Sequence, residues 1–86
     1  MRQNELAEAL QVRPFRPMRI HVSDGNTYEV RHPELVRLMR HSALICTPVE
    51  NRPTIFIERF NLVDILHITQ IEYTETGSPN SGRAGE

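Results

Sequence analysis

The side chains here that could do chemistry are His21, His32, His41 and His67, the single Cys46, scattered carboxylates, and ten cationic residues, every one an arginine. Metal binding would need ligands at defined spacings, such as two histidines one helical turn apart. The four histidines fall on different segments and no pair has that spacing, so no metal site is expected. A cysteine nucleophile needs an activated thiolate beside a base. Cys46 instead sits in the apolar run Ala43-Leu44-Ile45-Cys46, which reads as packing. Glu58, Asp64 and Glu72 lie on separate segments and are explained as strand-face or turn polarity, with Asp64 suited to holding a turn. Of the four glycines, Gly77, Gly82 and Gly85 are near the C-terminus, which leaves no glycine-rich phosphate loop. No enzyme and no cofactor is expected.

The arginines are the better lead. The formal net charge is -1, which argues against nucleic-acid binding driven by bulk electrostatics. The distribution is uneven, however. Between Arg13 and Arg40, six arginines stand against Asp24, Glu29 and Glu34, whereas three arginines face six acids from His41 onward. Arg16, Arg19, His21 and Arg31 form the candidate binding set, because alternation puts the last three on one wet strand face with Glu29 as an ion partner. That face suits a phosphate or an acidic protein partner. Single-strand readers also need exposed aromatic rings beside cations, and Tyr28 and Tyr73 are the rings that could serve.

The elements that must position this set follow from periodicity. "QNELAEALQV" places Leu6, Ala7, Ala9 and Leu10 at helical spacing, with Asn4 as a cap, and predicts a helix from Glu5 to Gln11 that ends before Pro14. "RPFRP" is a stiff extended linker with Phe15 as its anchor. "MRIHV" alternates Met18, Ile20 and Val22 against Arg19 and His21. "TYEV" puts Tyr28 and Val30 inward, and "SDGN" between them supplies a turn with Gly25 or Asn26 at positive φ, so the two runs form an antiparallel hairpin. Pro33 then ends the second strand and leaves His32 at its rim, packed or hydrogen-bonded.

Beyond Pro33 the pattern is less regular. Leu35, Val36, Leu38 and Met39 fit a short helix slightly better than an irregular strand. "ALICTP" and "TIFIERF" read as strands three and four. Ile55 and Ile57 fall on one face of strand four and Phe56 and Phe60 on the other, so it should be covered on both sides, by the interior and by the helix or a partner. "NLVDIL" looks like one helical turn before a closing strand near His67 to Tyr73. Residues 74–86 are rich in Gly, Ser and Pro and should be disordered. One domain spanning 1–73 is expected, with a thin core, since a chain this short buries only roughly 60 % of its unfolded surface.

A lone cysteine suits a reduced cytoplasmic setting. The N-terminus lacks a signal-peptide core, and no apolar run approaches the ~20 residues that span a bilayer.

Two resemblances follow from these strings. "RPFRPMRIHVSDGNTYEVRHPEL" together with "FNLVDILHITQIEY" resembles a group of small uncharacterised bacterial proteins. Their pattern opens on F-x-P-F-R-I, continues through D-G-x-x-Y/F-E-V-R-H-P-E and closes on L-H-I-x-x-I-E, with Met18 here in place of an aromatic. That kinship implies no activity. The order of elements is similar to Sm-like and other SH3-like barrels. This implies a small antiparallel barrel or curved sheet with a short N-terminal helix, although the uridine-binding motifs of Sm-like rings are not recognisable. The expected function is a non-enzymatic binding or assembly module, a homo-oligomer mediating protein interaction. The alternative is an RNA- or DNA-binding barrel using the arginine face. Salt and Arg19 or Arg31 substitutions should move the second, and apolar changes at Leu6 or Phe56 the first.

Overall fold

In a computed structural model of the chain, residues 1–51 and 56–74 are described. The expected tail beyond Thr74, and Thr54 and Ile55 of the expected fourth strand, lie outside them. Helix α1 (Gln3–Gln11) is followed by strands β1 (Met18–Val22), β2 (Thr27–Val30), β3 (Val36–Leu38), β4 (Ser42–Pro48), β5 (Ile57–Asp64) and β6 (Ile68–Tyr73). The strands form two antiparallel three-stranded sheets, in the orders β2-β1-β6 and β3-β4-β5. The fold is therefore mainly β, and no hydrogen-bonded ladder closes the two sheets into one barrel among the described residues.

Helix α1 starts two residues earlier than the spacing suggests, and Asn4 does not cap it. The Arg2 amide instead donates to Glu5 Oε1 at 2.9 Å, which satisfies the cap residue from inside the first turn. Leu6, Ala9 and Leu10 lie one turn apart and are buried in the chain's own core. Leu6 is thus a core residue of this fold and not a probe of a partner interface. Gln3 Nε2 donates to Met39 O at 2.6 Å and Met1 N to Ile68 O at 3.1 Å, so the helix start is tied to both sheets. Phe15 packs against the same core from the linker.

The hairpin pairs Met18 with Val30 and Ile20 with Tyr28. Its turn is closed by Asn26 N donating to Asp24 Oδ1 at 2.9 Å, with Gly25 at φ 93°. Met18, Ile20 and Val30 join Leu35, Val36, Ala43, Ile45, Val63, Ile65 and Ile68 in one apolar core.

The ambiguous stretch after Pro33 divides in two. Pro33–Leu35 is a 3-10 turn that buries Leu35, and β3 follows at once, paired with β4. The helical reading of "NLVDIL" is corrected: β5 runs through to Asp64, and only Ile65–His67 is a 3-10 turn. Asp64 does hold that turn, its Oδ1 accepting from Leu66 N at 3.0 Å.

A bulge corrects the faces of strand four. The β4–β5 register shifts between Thr47 and Pro48, so Pro48 faces Ile57 while Cys46 faces Phe60 and Leu44 faces Leu62. One extra β5 residue opposite that step inverts the alternation. Ile57, Phe60 and Leu62 therefore share the outer face, and Val63 points into the core. Nothing in the chain's own helix covers that face: Phe60 is 69 % and Leu62 63 % exposed.

Candidate binding surfaces

The outer face of the β2-β1-β6 sheet carries the candidate residues, and register explains how they meet. Arg19 on the central strand has Glu29 directly across on one side and Glu72 on the other. Directly opposed residues of an antiparallel pair lie on one face within side-chain reach. Arg19 Nη2 lies 3.0 Å from Glu29 Oε2 and Nη1 lies 3.5 Å from Glu72 Oε1. His21 Nε2 reaches the same Glu72 oxygen at 2.9 Å. A carboxylate only accepts, so that nitrogen carries the proton. Arg31 Nη2 stands 3.6 Å from Glu29 Oε1, and the Arg16 guanidinium lies 3.9 Å from the centroid of the Tyr73 ring, a cation–π contact.

The structure thus brings Arg19, His21 and Arg31 into one ion network and sets Arg16 on the neighbouring ring. The hydrogen bond from His21, and then Arg19, hold the Glu72 carboxyl below its ordinary range. Hydrogen bonding from Arg19, with charge from Arg19 and Arg31, does the same for Glu29. Arg19 is raised in turn, chiefly by its bond to Glu29. Glu29 was legible in the sequence as the hairpin partner of Arg19. Glu72 was not, because only the non-local pairing of β6 with β1 brings it there. Chemically the face is largely self-neutralised, and a phosphate arriving at Arg19 would compete with two resident carboxylates.

His32 departs from expectation. It is exposed, and its backbone carbonyl accepts from Leu35 N at 3.1 Å. Its side chain lines an open cleft of about 760 Å³ together with Tyr28, Arg31, Thr47, Arg59 and Asn61. Cys46 is half-buried and packs against the core. Among the described residues no three His, Cys, Asp or Glu side chains converge as metal ligands would.

Sequence reasoning missed a second cluster. Ser23 Oγ lies 3.1 Å from His67 Nδ1, and His67 Nε2 lies 3.9 Å from Asp64 Oδ2. The residue types match a serine nucleophile, base and orienting acid. The last distance exceeds a hydrogen bond, however, and Asp64 already caps the 3-10 turn. Ser23 N also donates to His67 O at 2.9 Å, so the contact staples the β1–β2 turn to the segment leading into β6.

The third surface is apolar. Ile57, Phe60 and Leu62 line the outer face of β5, beside the half-buried Leu44 and Cys46 of β4. β5 is also the last strand of its sheet. No protein-family model, no curated protein and no solved structure matches this chain.

Proposed function

We propose that this chain is a non-enzymatic binding and assembly module of open SH3-like architecture that self-associates and mediates protein interaction. One observation carries the reading: large apolar side chains stand uncovered on an edge strand. Monomeric soluble proteins rarely expose contiguous apolar patches of that kind, and where they do the patch marks an interaction surface. Long exposed edge strands are similarly disfavoured unless something pairs with them. The outer face of the β2-β1-β6 sheet supports the same preference, because Arg19 already has its partners. The resemblance to small bacterial proteins adds no activity to this reading.

A second reading, an RNA- or DNA-binding module, rests on Arg31, which is 75 % exposed at the side chain, and on Arg59 and Tyr28 across the same cleft.

Light scattering after size exclusion, with absorbance at 260 and 280 nm, separates the two. Assembly through apolar contacts gives a nucleic-acid-free oligomer whose mass holds as salt rises from about 50 mM to about 200 mM, a range over which phosphate binding weakens steeply. A monomer, or a complex that sheds nucleic acid as salt rises, moves the function to the arginine cleft.

A further inference from the structure

The open side of β5 can be read from its ladder. Ile65 N donates to His41 O at 3.0 Å, one step beyond the Ser42 and Asp64 pair. Hydrogen-bonded and non-bonded pairs alternate along an antiparallel ladder. The Ala43–Val63, Ile45–Asn61 and Thr47–Arg59 pairs are therefore the bonded ones. The N–H and C=O groups of Phe60 and Leu62 point away from β4, toward an edge with no strand beside it among the described residues.

We propose that this edge is filled by β5 of a second copy of the chain, running antiparallel about a twofold axis at Asn61. The inference rests on the self-association proposed above and specifies its surface. Sequence complementarity selects the register. A twofold at Asn61 sets Phe60 opposite the partner copy's Leu62, and Leu62 opposite its Phe60, on one face. Moving the axis to Phe60 would set Leu62 against the bulge at Glu58, where no regular pair forms, and moving it to Leu62 would oppose Phe60 with Asp64. Only the Asn61 register matches apolar with apolar while pairing the free N–H and C=O groups of both residues. Glu58 lies at the bulge and so outside the regular ladder, which keeps it from being squarely opposed to Asp64. The product is a continuous six-stranded sheet, with the exposed faces of Phe60 and Leu62 laid against each other across the new seam.

The test compares the wild-type chain with Leu62→Pro and Leu66→Lys by light scattering across a concentration series. Leu62→Pro removes an N–H that serves only the open edge, a change edge strands tolerate. Leu66 is even more exposed, at 77 %, but lies beyond β5 and serves as the control. The expected result is a mass twice the 10.0 kDa chain for wild type and Leu66→Lys, and a folded monomer for Leu62→Pro. If all three are dimers, self-association stands and strand pairing through β5 is overturned. A wild-type monomer at every concentration overturns both proposals, and a closed ring of three or more copies overturns the twofold. Should Leu62→Pro fail to fold, amide exchange of the wild type decides. Slow exchange at Phe60 and Leu62 that becomes fast on dilution supports the pairing, and fast exchange at all concentrations overturns it.

Discussion

Arg19 stands between two carboxylates because it occupies the central strand of its sheet, and the pH dependence of stability follows from that placement. Glu29 and Glu72 both titrate below their ordinary range when folded. The unfolded chain therefore binds more protons in acid, and stability rises with pH through that region. This contribution is complete above the unfolded carboxylate value of about 4.3 and is lost as pH falls through the lower folded values. Glu72→Gln should leave a shallower fall in melting temperature between neutral pH and the acid end. A slope equal to wild type would show that the Glu72 contacts are solvated away. Because these pairs are exposed, the effect is small beside any core change. At the turn, Gly25 at φ 93° meets no atoms that a Cβ would strike. Gly25→Ala should therefore cost about 1 kcal/mol through backbone strain alone, as measured by denaturant unfolding.

At the scale of elements, helix α1 is stable only as a docked element. Nine residues are too few for an isolated helix to persist in water, so its order depends on burying Leu6, Ala9 and Leu10. Leu6→Ala should cost roughly 2–4 kcal/mol in urea unfolding, whereas Glu8→Ala on the exposed side should fall within about 0.5 kcal/mol of wild type. Equal effects would mean that the helix is not held by its apolar stripe. Strand β5 has the opposite character. Its backbone is fixed on one side by β4, yet among the described residues no strand pairs with its other edge and Phe60 and Leu62 on its outer face stay exposed. Local alternation identified β1 and β2 because each turns one face to a core, and the apolar run Ala43-Leu44-Ile45-Cys46 marked β4. It misjudged β5 because a bulge inverts the faces, and a bulge is visible only against the partner strand.

For the whole molecule, the helix and both sheets contribute to one core, so unfolding should be a single transition. If native copies associate through β5, association draws on the folded state and the melting temperature must rise with protein concentration. Calorimetry over a concentration series should show that rise in wild type and its loss in Leu62→Pro. A concentration-independent wild-type midpoint would count against self-association.

Short-range chemistry was legible along the chain. Periodicity named the helix and the hairpin, Gly25 and Pro33 set the turn and the strand end, and Asp64 was legible as a turn holder. The candidate arginine face was also there, because Arg19, His21 and Arg31 share a parity on one hairpin. Pairings between distant segments were decided by the tertiary structure alone. Glu72 reaches Arg19 only when β6 docks on β1, and Ser23 reaches His67 only when the hairpin turn meets the 3-10 turn that leads into β6. The fate of Phe60 and Leu62 was of the same kind. Their spacing could not show whether something covers them, since an apolar residue is buried by its neighbours in space and not by its position along the chain.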